Sequence, residues 1–120
     1  MSEAPAEGTM ALRIDSKTAS DPRTLSLVLT GDLDTDGARV VRRALEAHIT
    51  AGRLDVIIDL DRVGFLDSAG LASLIVALRR ARERGGDIRV SATNERIRRL
   101  LEVTALARVF KLGPPARAAA

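Results

Sequence analysis

Three groups of side chains in this 120-residue chain have the types and spacing that chemistry requires. The first is a serine, Ser68, inside Leu66-Asp67-Ser68-Ala69-Gly70, where a short apolar run gives way within a few residues to helical spacing. A hydroxyl at a strand-to-helix turn can act as an acyl nucleophile, accept a phosphate, or cap the helix. The second group is two sets of carboxylates, Asp32, Asp34 and Asp36, then Asp59, Asp61 and Asp67, both in segments that follow strand-like runs. The third is His48, the single histidine and the one side chain whose ordinary pKa suits a base near neutral pH.

The nucleophile reading fails on its partners. A hydrolase elbow needs Gly-x-Ser-x-Gly, and Leu66 stands where the first glycine belongs. His48, the sole candidate base, falls on the apolar stripe of another helix and is read as a packed or rim histidine. Neither Gly-x-x-x-x-Gly-Lys nor Gly-x-Gly-x-x-Gly occurs, so nucleotide cradles are unsupported. Cysteine is absent, which removes disulfides, thiolate chemistry and cysteine-ligated metal. No catalysis, metal or cofactor is expected.

A phosphoaspartate scheme of the receiver type would take Asp32 and Asp34 as an acidic pair, Asp59 as acceptor and Lys111 as the late lysine. The opening hairpin and small helix number fit that scheme poorly, and the acids are read mainly as caps and solvated loop charge. For Ser68 two readings stay open on position alone. It, or Asp67, can cap the helix by accepting from free first-turn amides. Alternatively its hydroxyl can be phosphorylated without breaking the helix, because those amides and the helix dipole favour an anion there by about 0.3–2 kcal/mol.

These residues need positioning elements. Met10, Leu12 and Ile14 alternate with polar or small residues as in a half-buried strand, and Ser16 to Arg23 is read as a turn. Leu25, Leu27 and Leu29 mark a second strand, antiparallel to the first. Gly31 to Asp36 is read as a loop ending in a cap at Thr35 or Asp36. Val41, Ala44, Leu45, His48 and Ile49 then mark a helix that Gly52 ends. Val56 to Leu60 reads as a central strand covered on both faces, followed by a polar break at Asp61-Arg62. The helix after Ser68 runs to about Arg84 and stops at Gly85-Gly86. Ile88 and Val90 make a fourth strand, Asn94 caps a third helix with Ile97, Leu100 and Leu101 inward, and Val109 to Leu112 is a candidate terminal strand. The order β-β-α-β-α-β-α predicts an α/β domain with a mixed sheet.

Length and a 46% hydrophobic content fit one domain over residues 10–112, with residues 1–9 and 113–120 expected to be disordered. No apolar span long enough for a membrane occurs, the first nine residues lack signal-peptide character, and a cytoplasmic location is expected. The pI is near 10.5. The net charge, however, is only +3 and Phe65 and Phe110 are the only aromatics, so direct nucleic-acid binding is not expected.

Element order and three short stretches together resemble the STAS family, and within it the anti-sigma factor antagonists (anti-anti-sigma factors). The stretches are Gly31-Asp32-Leu33-Asp34, Phe65-Leu66-Asp67-Ser68-Ala69-Gly70-Leu71, and Arg98 to Leu106 before Val109-Phe110. The resemblance implies a mixed sheet with helices mainly on one face. It implies that Ser68 is phosphorylated by a partner anti-sigma factor, an ATP-dependent serine kinase, and reset by a phosphatase. The unphosphorylated protein would bind that partner, freeing a sigma factor for transcription, with Asp32, Asp34, Asp67, Ser68, Ala69 and Gly70 at the contact. A non-switching STAS subunit or scaffold, for example of a lipid transport complex, is the alternative, with Ser68 only a cap.

Overall fold

A computed structural model describes residues 10–18, 21–104 and 106–110. The strands are β1 (Arg13–Thr18), β2 (Thr24–Leu33), β3 (Asp55–Leu66) and β4 (Asp87–Ser91). The helices are α1 (Thr35–Thr50), α2 (Ser68–Glu83), α3 (Glu95–Val103) and a single turn, α4 (Leu106–Val109). The sheet runs in the order β1-β2-β3-β4, with β1 antiparallel to β2 and the other two pairs parallel. This is the expected mixed α/β sheet.

Sequence alternation decides which face is covered. Leu25, Leu27 and Leu29 of β2, Val56, Ile58 and Leu60 of β3, and Ile88 and Val90 of β4 line up across the sheet and are almost fully buried. They join Val41, Leu45 and Ile49 of α1, Leu74 and Leu78 of α2, Ile97 and Leu101 of α3, and Phe110 in one core. Each such side chain contributes about 1.5–3 kcal/mol when removed from water. The opposite row, Lys17, Ser26, Ile57 and Arg89, faces away from the helices, and Ile57 is 38% exposed. The expectation that the central strand is covered on both faces is therefore corrected: among the described residues the helices pack on one face of the sheet.

β3 is also longer than its sequence suggests. Asp61-Arg62 does not break it; the β2–β3 register shifts between Val28 and Thr30 and again between Gly31 and Asp32. These irregularities give β3 two residues more than β2 over the paired stretch, from Thr24↔Asp55 to Leu33↔Leu66. The buried positions step from Leu60 to Val63 to Leu66 instead of every second residue, so the polar pair reads as an interruption when it is a bulge. Asp61 stays useful: its carboxylate accepts from the amides of Thr93 and Asn94 and ties β3 to the start of α3.

Other boundaries moved for local reasons. β1 begins at Arg13 and runs through Thr18, so Ser16 to Thr18 belong to the strand and not to a turn. Gly31-Asp32-Leu33 belongs to β2 and is not a loop. The candidate terminal strand is not formed at its start, because Val109 closes α4 and Phe110 follows it as a buried turn residue; Lys111 and Leu112 lie outside the described residues. Among the described residues no helix is long and apolar enough to cross a membrane.

Candidate functional site

Two strand-to-helix junctions lie side by side where β2 and β3 end. Leu33 and Leu66 are register partners, and each is followed by an aspartate that caps the next helix. Asp34 Oδ1 accepts from Gly37 N at 2.9 Å, and Asp67 Oδ1 accepts from Gly70 N at 2.9 Å. The caps are thus Asp34, in place of the expected Thr35 or Asp36, and Asp67, one of the two residues proposed. Each satisfies a first-turn donor and contributes about 0.5–2 kcal/mol to its helix.

This assignment frees Ser68. It is the first residue of α2 and exposed, and among the described residues its hydroxyl has no hydrogen-bond partner. The amides of Ser68 and Ala69 likewise have no acceptor among them, as the geometry of a helix start requires. A negative group on the Ser68 oxygen would therefore sit beside unspent donors and the positive end of a 16-residue helix.

Gly70 sets how closely α2 approaches β2. A methyl group built on it would overlap the carbonyl oxygen of Leu33 and lie 2.8 Å from Leu33 Cγ and 3.0 Å from the Leu33 carbonyl carbon. The role is to let the first turn press onto the strand end, where Asp67 N also donates to Leu33 O at 3.4 Å. Gly37 does the same for α1 against Asp32 O. Gly70 is buried and Ala69 half-buried, so of the expected contact residues Ser68 is exposed, with Asp34 and Asp67 half-buried at the adjoining caps.

Asp32 is placed differently. Its residue is only 7% exposed, its Oδ2 accepts from Met10 N at 3.0 Å, and its own amide donates to Met10 O at 2.9 Å. It clamps the segment before β1 across the end of β2, and Gly31 permits this because a side chain there would meet Ala11 O at 2.5 Å and would be strained at φ 113°. A buried clamp offers little surface to a partner.

The other chemical candidates do not converge. Asp59 is paired with Val28, four residues from Asp32 on β2, or about 13 Å along a strand. Asp59 Oδ1 accepts from Asp61 N, so Asp59 stands apart from Asp32 and Asp34; Lys111 lies outside the described residues. Among the described residues no cluster of three metal-ligating side chains occurs. His48 lies in the last turn of α1, roughly 20 Å along that helix from its start beside the junction, and contacts Arg53. Burial and the nearby Arg53 charge lower its pKa from the ordinary value of 6.5. Neither Asp59 nor His48 is therefore placed as a base for the Ser68 hydroxyl.

One signal was present in the sequence and is decoded only by the structure. Gly31-Asp32-Leu33-Asp34-Thr35-Asp36-Gly37 and Gly64-Phe65-Leu66-Asp67-Ser68-Ala69-Gly70 share Gly-x-Leu-Asp-(Ser/Thr)-x-Gly, and the structure sets the two copies next to each other. Comparing them would have singled out both junctions and both close-approach glycines, though not which residue caps, since a hydroxyl residue follows the aspartate in each.

Comparison with known proteins agrees with this fold. A family model described as "Mlab, STAS domain" matches residues 16–113. The anti-sigma-B factor antagonist of Listeria monocytogenes is 27% identical over 92 residues, which cover 77% of this chain and 81% of that protein. An anti-sigma factor antagonist from Mycobacterium paratuberculosis superposes with a TM-score of 0.75 at 23% identity over 91% of both chains. The antagonist SpoIIAA in its unphosphorylated form gives a TM-score of 0.72 at 18% identity, covering 88% of this chain and 89% of that one. The Bacillus SpoIIAA structure in the phosphorylated form gives 0.67 at 18% identity, covering 88% and 92%. At these identities the solved structures establish the fold.

Proposed function

The chain belongs to the STAS family, and from that premise we propose that it is an anti-sigma factor antagonist switched by phosphorylation of Ser68. The observation that carries the proposal is that Asp67 holds the cap while Ser68, exposed at the helix start, has a hydroxyl that the fold does not use. The unphosphorylated protein binds an anti-sigma factor that is an ATP-dependent serine kinase; the kinase transfers phosphate to Ser68, the complex dissociates, and a phosphatase restores the hydroxyl. A relative that carries the name of an antagonist, and a structural neighbour solved in a phosphorylated form, support this reading.

The physical mechanism is local. Phosphate adds about −1.5 to −2 charge at pH 7, and the free amides of Ser68 and Ala69 accommodate it without refolding. Asp34 and Asp67 stand at the same pair of junctions, and the exposed Asp36 follows in the first turn of α1, so the added charge falls in an acidic patch. A partner shaped for a neutral hydroxyl then meets bulk, repulsion and desolvation cost, and each 1.4 kcal/mol lost is about tenfold in affinity. The constitutive-subunit reading assigned Ser68 the role of cap, and Asp67 fills that role.

The test is incubation with ATP and the anti-sigma factor retained by a Ser68→Ala bait, followed by mapping of the modification by mass spectrometry. Phosphate on Ser68 is expected. Phosphate confined to Ser73, Ser91 or the N-terminal serines would refute the assignment.

A further inference from the structure

Beside the Ser68 junction an apolar groove of about 380 Å³ opens between the end of β3 and α3. Phe65, Leu100 and Val103 form its walls, Gly64 its edge, and Arg96 and Arg99 its rim. Two of those walls are conspicuously unprotected for apolar side chains: Phe65 is 52% exposed and Val103 78% exposed. Large exposed apolar patches mark interaction surfaces more often than isolated apolar residues do. The chain runs directly from this groove to the switch, since Phe65 and Leu66 line it and Asp67 and Ser68 follow.

We infer that this groove is a second anchor for the same partner, receiving an apolar side chain of the anti-sigma factor together with an acidic residue on the adjacent turn of a surface helix. The inference rests on the proposed Ser68 reading and adds to it the chemistry of the contact. The rim supplies the charge argument. Arg96 Nη2 donates to Gly64 O at 2.7 Å, which holds its guanidinium at the edge of the groove. Arg99 has no ion pair among the described residues. The two acids of α3, Glu95 and Glu102, do not line the groove, so the charges on its rim are the two arginines while the neighbouring junction carries aspartates. A partner helix with an apolar residue flanked by a carboxylate satisfies both the walls and the rim. A small ligand fits less well, because walls this exposed cannot enclose the 70–90% of its surface that ligand pockets generally bury.

The arrangement divides the interface into two parts. The groove is untouched by phosphorylation and provides constant affinity, whereas the Ser68 junction provides the part that phosphate removes.

The chain contains no cysteine, so Val103→Cys in the full chain gives a unique attachment point for an environment-sensitive fluorophore. The probe is the purified anti-sigma factor retained by Ser68→Ala bait. A blue shift on its addition is expected, together with binding weakened about tenfold or more by Val103→Asp or Phe65→Ser, and several-fold by Arg99→Glu with a reduced salt dependence. Ile57→Asp, on the open face of the sheet, is the control and should bind as wild type. If the purified factor binds but the fluorophore is silent and Val103→Asp and Arg99→Glu leave affinity unchanged, the groove proposal is overturned and the Ser68 reading stands. If Ser68→Ala retains no such kinase, the Ser68 reading fails and the groove proposal falls with it.

Discussion

Replacing Gly70 by alanine is the most revealing single change in the scaffold of the site. Two effects oppose each other. Alanine lowers the entropy of the unfolded chain and is the better helix former, a gain of about 0.4–1 kcal/mol. Against this, the new methyl would overlap Leu33 O and lie 2.8 Å from Leu33 Cγ, inside any distance real methyl groups adopt. The obstruction is mainly backbone, and Leu33 is held in register with Leu66, so the helix start must move instead. Overpacking of this kind costs about 1–3 kcal/mol. Moving the first turn also weakens the Asp67–Gly70 cap, about 0.5–2 kcal/mol more. The net loss is about 0.5–4.5 kcal/mol, and a domain of this size loses about 3–6 °C of melting temperature per kcal/mol. Gly64→Ala is the matched control, because its methyl would meet only Asp32 Oδ1 at an ordinary 3.6 Å. Thermal unfolding followed by circular dichroism should show Gly70→Ala at least about 1.5 °C below wild type and Gly64→Ala close to it. Gly70→Ala melting with or above wild type, or both variants falling equally, would refute the close-approach argument.

Other consequences can be measured alongside. Asp67→Ala should cost about 0.5–2 kcal/mol in urea unfolding and Ser68→Ala almost nothing, because only the aspartate accepts from Gly70; the reverse order would return the cap to the serine. Asp32→Ala should release the Met10 segment, seen as faster hydrogen exchange at the amides of Met10 and of position 32, and unchanged exchange there would show that the clamp is not needed. His48 has a folded pKa below its ordinary 6.5, so below that pH the unfolded chain takes up a proton that the folded chain resists. Its contribution is constant above pH 6.5 and stability falls as pH drops from 6.5 towards the lowered value. His48→Gln should flatten that part of the stability-against-pH curve, and an unaltered slope would show that the ring stays hydrated.

Much of this architecture was legible because the core repeats with clean periods. Leu25, Leu27 and Leu29 announce a strand with one buried face, and Val41, Leu45 and Ile49 a helix, because alternation and the helical period are local properties. Two of the misreadings share a cause: a polar residue whose partner lies far along the chain. Asp32 looks like loop charge until Met10, 22 residues earlier, supplies the amide that buries it. Asp61 looks like a strand end until the bulge and the amides of Thr93 and Asn94 account for it. Val109-Phe110 carries β-forming residues, yet Phe110 reaches the core from the end of a helical turn, a choice made by packing and not by propensity. At the site itself, the sequence located the junction and the two candidate caps but could not choose between Asp67 and Ser68, since either side chain can reach the free amides. Assigning the cap to one oxygen is what releases the other.

The account stands most directly on one comparison: the affinity of the purified anti-sigma factor for the wild-type protein and for the same protein stoichiometrically phosphorylated at Ser68, by titration calorimetry at matched salt. The expected result is binding weakened by about a hundredfold or more, roughly 3 kcal/mol at 1.4 kcal/mol per decade, with the melting temperature of the isolated domain nearly unchanged. Equal affinity for both forms, or a phosphorylated domain that unfolds, would contradict it.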